Sequence, residues 1–143
     1  MRPDKERLIR RLAYKARDAV ECIINYEYDN NNGYHNCVGT LAGMCARASA
    51  ILSYLFDQHD IEHQIAYGYG HVYIECDDKI IDVTATQFSL PGRTLIRPIK
   101  KMCKNYRWRT SILFSSVDHL IRWQSTERWP WEQSVTERDL EFL

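Results

Sequence analysis

The chain has little that would place it at a glance. No window approaches the ~18 consecutive apolar residues of a membrane-spanning helix, so no membrane partner is expected. The N-terminus, Met1-Arg2-Pro3-Asp4-Lys5-Glu6-Arg7, mixes both charge signs and has no apolar run behind it. A secretory signal needs such a run, and its lack points to a cytoplasmic protein whose thiols stay reduced. A signal-less route into another cell is compatible with the same N-terminus. There is no CxxC and no HExxH, and Cys37 and Cys45 have no closely spaced second pair beside them, so no metal site is expected. With no GxGxxG and no phosphate loop, no nucleotide cofactor is supported, and no cofactor of any kind is expected. Net charge is also lacking: 19 Lys and Arg balance 19 Asp and Glu. Bulk electrostatics therefore selects no nucleic-acid or membrane partner.

What is present suits one globular domain over residues 1–143. The chain is 45% hydrophobic and 12% aromatic, enough at this length to bury a core. Leu8, Leu12, Ala16, Val20, Ile23 and Ile24 recur at helical spacing and predict a first helix over residues 4–28, with Arg and Lys on its other face. The run Asp29-Asn30-Asn31-Asn32-Gly33 breaks it. A second helix is predicted from Gly43-Met44-Cys45 to about His59. It is apolar almost all round at Ala46, Ala48, Ala50, Ile51, Leu52, Leu55 and Phe56, which marks a central, buried helix.

Three strands are predicted next, Glu62 to Gly68, His71 to Cys76 and Lys79 to Thr84, the last two joined by a two-residue turn at Asp77-Asp78. That turn sets Cys76 opposite Lys79, Tyr73 opposite Asp82 and His71 opposite Thr84. Alternation then gives one apolar face, Val72, Ile74, Ile81 and Val83, to cover the helix. The other face carries His71, Tyr73, Asp82 and Thr84, with imidazole and carboxylate diagonal to each other. A further strand is predicted over Thr94 to Ile99. A helical segment over 115–143 is expected to start at Ser115-x-x-Asp118, break before Trp129-Pro130 and resume as a short helix from Trp131. The expected class is α+β, a buried helix packed on a small antiparallel sheet.

A thiol becomes a good nucleophile when it loses its proton, and a helix N-terminus or a neighbouring imidazolium favours that loss. A carboxylate on the far ring nitrogen fixes the imidazole. Cys45 at a helix start, His71 at a strand start and Asp82 on the adjacent strand supply those three parts, and the Cys45 N–H is a candidate oxyanion donor.

The segments Gly43-Met44-Cys45-Ala46-Arg47-Ala48, Gly70-His71-Val72-Tyr73-Ile74-Glu75 and Ile80-Ile81-Asp82-Val83-Thr84-Ala85 resemble the nucleophile helix and the His and Asp strands of the transglutaminase-like superfamily. The resemblance covers a core of residues 43–88. It implies a papain-like fold and thiol-mediated acyl transfer on a protein or peptide amide through Cys45, His71 and Asp82. Hydrolysis of the peptidase or glutamine deamidase type is favoured over transamidation, because so small a domain offers few residues for a second amine. It also implies an oxyanion helper upstream of the cysteine, where Tyr34, His35, Asn36 and Cys37 stand. His35, Asn36 and Gln87 are the candidate substrate or oxyanion contacts.

The remaining residues read more plainly. Cys22, Cys76 and Cys103 read as structural thiols, and Cys37, in the loop before the proposed nucleophile, stays open between an ordinary loop thiol and an exposed or redox-active one. His59, His63 and His119 are surface residues. Between Arg93 and Arg109 stand seven Lys or Arg residues and no acid, with Tyr106 and Trp108 among them. This segment carries the alternative reading, a non-catalytic module of the same fold that engages nucleic acid or an acidic protein partner. Nucleic acid is disfavoured, because a charge-balanced solvated edge is the commoner use of such a strip.

Overall fold

The computed structural model describes residues 1–29, 44–68, 71–85, 95–98, 112–126 and 143. The chain is α+β. Helix α1 spans Pro3–Asp29 and α2 spans Cys45–Gln58, followed by β1 (Gln64–Gly68), β2 (His71–Cys76), β3 (Lys79–Asp82), β4 (Leu95–Pro98), β5 (Ile112–Phe114) and α3 (Val117–Thr126). The strands form one sheet in the order β4-β3-β2-β1-β5, with every neighbouring pair antiparallel.

Proline at the first position of α1 leaves no amide to satisfy, and Asp4 and Glu6 sit in the first turn, where acids suit the helix dipole. Ile9, Leu12, Ala13, Ala16, Val20, Ile23 and Ile24 form its buried stripe. The three alanines of α1 at 13, 16 and 19 join Ala48 of α2 in one core cluster with Ile51, Leu52, Leu55 and Phe56. Small side chains let the two helices approach closely, so the larger residues fill the space around the seam. Ile74, Cys76, Ile81 and Val83 close this cluster from the sheet. A second cluster joins Cys45, Ala46 and Ala50 to Ile65, Val72, Phe114 and Leu120, so α2 is covered from both sides. Each large apolar residue enclosed this way contributes about 1.5–3 kcal/mol.

Helix α2 ends in a Schellman turn. The Ile61 N–H donates to Phe56 O (2.9 Å) and the Asp60 N–H to Asp57 O (3.2 Å). Asp60 takes the required left-handed backbone, φ 55°, which aspartate tolerates better than most residues. Asp77 does the same in the β2–β3 turn, φ 54°, and sets the predicted register of Cys76 opposite Lys79.

Several expectations need correction. The third strand ends at Asp82 and not Thr84, because the Thr84 N–H turns back to its own chain, donating to Asp82 Oδ1 at 2.8 Å. Strand β5 went unpredicted. The cap of α3 is Ser116, whose Oγ accepts from the His119 N–H at 3.1 Å, and not Ser115. The basic face expected for α1 is interrupted by Arg17, which is buried. Nor is His63 a surface residue. Its Nδ1–H donates to Ile61 O (2.7 Å), its Nε2 accepts from the Ser53 hydroxyl (2.6 Å), and its ring meets Phe56 edge-on. Among the described residues no helix is long and apolar enough to cross a membrane. The helix predicted from Trp131, Cys37, Cys103 and, apart from β4, the basic segment 93–109 lie outside the described residues.

Candidate active site

Cys45 is the first residue of α2. The residue before it, Met44, offers no side-chain cap to the helix, and the first intrahelical bond runs from the Ala48 N–H to Met44 O at 2.9 Å. The N–H groups of Cys45, Ala46 and Arg47 thus stand in the first turn, where a helix has no carbonyl of its own to offer them. Their partial positive charge lies beside the sulfur.

His71 opens β2. Strict alternation directs it away from Val72 and the helix, yet at the strand's first residue its ring lies near enough to the Cys45 side chain for the sulfur to raise its pKa. On its other side, Nε2–H donates to Asp82 Oδ2 at 2.7 Å, which leaves Nδ1 as the ring nitrogen for the sulfur. Asp82 is held in turn by Thr84, whose N–H and hydroxyl both donate to Oδ1, at 2.8 and 3.0 Å. Tyr73 stacks on the imidazole with ring centroids 5.8 Å apart and planes inclined by 27°. The diagonal placement of imidazole and carboxylate on adjacent strands is as the hairpin pattern predicts.

All three groups are buried: Cys45 is 2% exposed, His71 5% and Asp82 2%. Burial alone pushes the His71 imidazole down. The charge of Asp82 and its hydrogen bond, followed by the hydrogen bond and charge of Cys45, outweigh burial and carry it from 6.5 to about 10. At neutral pH the ring is therefore an imidazolium, clamped between a carboxylate and a sulfur. Such a ring stabilises a thiolate as it stands, and it holds a proton ready for a leaving group.

Two residues of this region escaped the sequence. Tyr73 was placed on the right face but given no part in holding the ring. Arg17 stands on α1 at helical spacing from Ala13, Val20 and Ile24, inside the buried stripe, and that spacing was the signal available. The proposed substrate or oxyanion contacts His35, Asn36 and Gln87 lie outside the described residues. Among the described residues Cys22, Cys45 and Cys76 are free thiols, and Cys22 is exposed, not the structural thiol expected. Cys76 donates its S–H to Glu62 O at 3.3 Å, and burial pushes that thiol up, as befits a structural role. Among the described residues no group of three or more His, Cys, Asp or Glu side chains is placed to hold a metal ion.

Comparison of the chain with protein-family models, with curated proteins and with solved structures finds no match, so a functional reading stands on the buried group of Cys45, His71 and Asp82.

Proposed function

We propose that the chain is a thiol-dependent acyl-transfer enzyme acting on amide bonds, of the transglutaminase-like, papain-like kind its motifs resemble. The observation that carries the reading is the buried line from the Cys45 thiol through the His71 ring to the Asp82 carboxylate. In this reading Cys45 reacts as its thiolate, with the His71 imidazolium beside it. The thiolate attacks the carbonyl carbon of a peptide or carboxamide, and the Cys45 N–H receives the oxyanion. His71 gives its proton to the departing nitrogen, leaving a thioester on Cys45. Water then attacks the thioester, losing a proton to the neutral ring, and the carboxylic acid product leaves as the thiolate returns. Asp82 holds the ring in the orientation both transfers need. Hydrolysis is preferred to transamidation, giving peptidase or glutamine deamidase activity on a protein or peptide substrate.

The test is alkylation with iodoacetamide at mildly acidic pH, followed by peptide mapping. Cys22 is exposed and Cys45 is buried, so labelling governed by access alone favours Cys22. Preferential labelling of Cys45, lost in His71→Ala, supports the reading; labelling that follows exposure in both proteins overturns it. Intact-mass proteomics of a lysate treated with wild type or Cys45→Ala then separates the outcomes: amide-to-acid conversion, ammonia loss with cross-linking, or chain cleavage.

A further inference from the structure

The proposed chemistry draws on α2, β2 and β3, but a residue from a fourth element reaches the same line. Arg17 of α1 is only 3% exposed, and a buried guanidinium persists only where its donors are used. Its Nε–H donates to Glu21 Oε1 at 2.8 Å, one turn along the same helix. Its Nη1–H donates to Val83 O at 2.9 Å, across 66 positions of sequence. The Val83 carbonyl and the Thr84 N–H belong to one peptide group, and that N–H donates to Asp82 Oδ1.

We propose that Arg17 is a positioning residue for Asp82 and His71, acting through this single peptide group: it binds the carbonyl end, and the amide end binds the carboxylate. A cation on a carbonyl oxygen draws electrons through the amide and makes its N–H a stronger donor. The line thus runs from the guanidinium to the Val83–Thr84 peptide, to Asp82, to His71 and to Cys45. Arg17 touches no reacting atom. It fixes the Val83–Thr84 peptide and favours the ionised carboxylate. This inference rests on the catalytic reading of Cys45, His71 and Asp82. Among the described residues, the groups that bear on the titration of Asp82 include His71 on β2, Cys45 on α2 behind it, and Arg17 with Glu21 on α1.

The test uses Arg17→Met, which fills a buried site without a charge, and Arg17→Lys, which keeps the charge but cannot reproduce the fork. With ¹³C-labelled aspartate, the Asp82 carboxyl carbon is followed through its titration, and the Thr84 amide proton is followed at neutral pH. In Arg17→Met the carboxyl is expected to titrate about half a pH unit or more above wild type, with the Thr84 amide proton moved upfield and Arg17→Lys in between. The acid limb of Cys45 alkylation should move up with it. A folded Arg17→Met with reduced thermal stability, but with the wild-type Asp82 titration and Thr84 shift, overturns the proposal. Should Arg17→Met fail to fold, an unchanged Thr84 amide shift in Arg17→Lys overturns it. Failure of the catalytic reading looks different: wild-type Cys45 then reacts no faster than in His71→Ala, whatever the NMR arm shows.

Discussion

Thr84 gives Asp82 two hydrogen bonds, one from its amide and one from its hydroxyl, both to Oδ1, so that the second oxygen, Oδ2, faces the ring of His71. The carboxylate is thereby fixed in rotation as well as position. Thr84→Val keeps the amide bond and removes the hydroxyl. It should lower stability by about 1–2 kcal/mol and slow Cys45 alkylation only a few-fold, as judged by urea unfolding and timed peptide mapping.

Asp82→Asn keeps the shape but replaces the charge with an amide. The imidazolium loses its largest source of support, and His71 should then titrate below about 10. Cys45 alkylation at about pH 6 should fall on the order of 10²-fold. His71 ring NMR and the alkylation rate should change together. A rate loss with the His71 titration unmoved would count against the proposed role of the acid.

The raised His71 also sets a pH dependence of stability. Below 6.5 the imidazole is protonated in both folded and unfolded chains, and its full contribution is present. As pH rises, the unfolded chain loses the proton first while the folded one keeps it to about 10. The contribution is lost across that window, at no more than about 1.4 kcal/mol per pH unit. Urea unfolding of wild type and His71→Gln from about pH 6 to pH 10 should show wild-type stability declining relative to the variant. Parallel curves would remove the argument.

Ser53, on the same helix as Cys45, forms a hydrogen-bonded pair with His63, but Ser53 is fully buried and the imidazole is pinned to Ile61 O. The pair joins the end of α2 to the approach to β1. Ser53→Ala should cost about 1–3 kcal/mol by orphaning Nε2 of His63 and should leave the Cys45 alkylation profile unchanged. Chemical denaturation and labelling distinguish the two effects.

Ile51→Ala opens the seam between α1 and α2 and should cost about 2–5 kcal/mol. Its signature is a lower unfolding midpoint with an unaltered ratio of Cys45 to Cys22 labelling in the folded protein.

The hairpin and its face were legible in the sequence for a definite reason. Strand β2 begins and ends as predicted because Asp77-Asp78 allows one tight turn, and that turn fixes which side chains share a face. The start of α2 was legible from the change between a polar loop and an alanine-rich run. Strand β5 was not, since three residues, Ile112–Phe114, carry no period, and their pairing with β1 is a tertiary matter. The buried place of Arg17 is legible in its spacing from Ala13, Val20 and Ile24, but its partner carbonyl at Val83 is invisible to any local pattern. The same blindness extended β3 to Thr84: a strand pattern cannot show that an amide will turn to a side-chain carboxylate instead of a neighbouring strand.

In the strand order β4-β3-β2-β1-β5, the strands bearing His71 and Asp82 are both interior. Asp82 itself lies opposite Leu95 of β4. Amides on such strands exchange with solvent only through large openings, whereas fraying starts at the edges. Among the described strands, loosening of β5 leaves the β2–β3 pair that carries the imidazole and the carboxylate hydrogen-bonded through its own register.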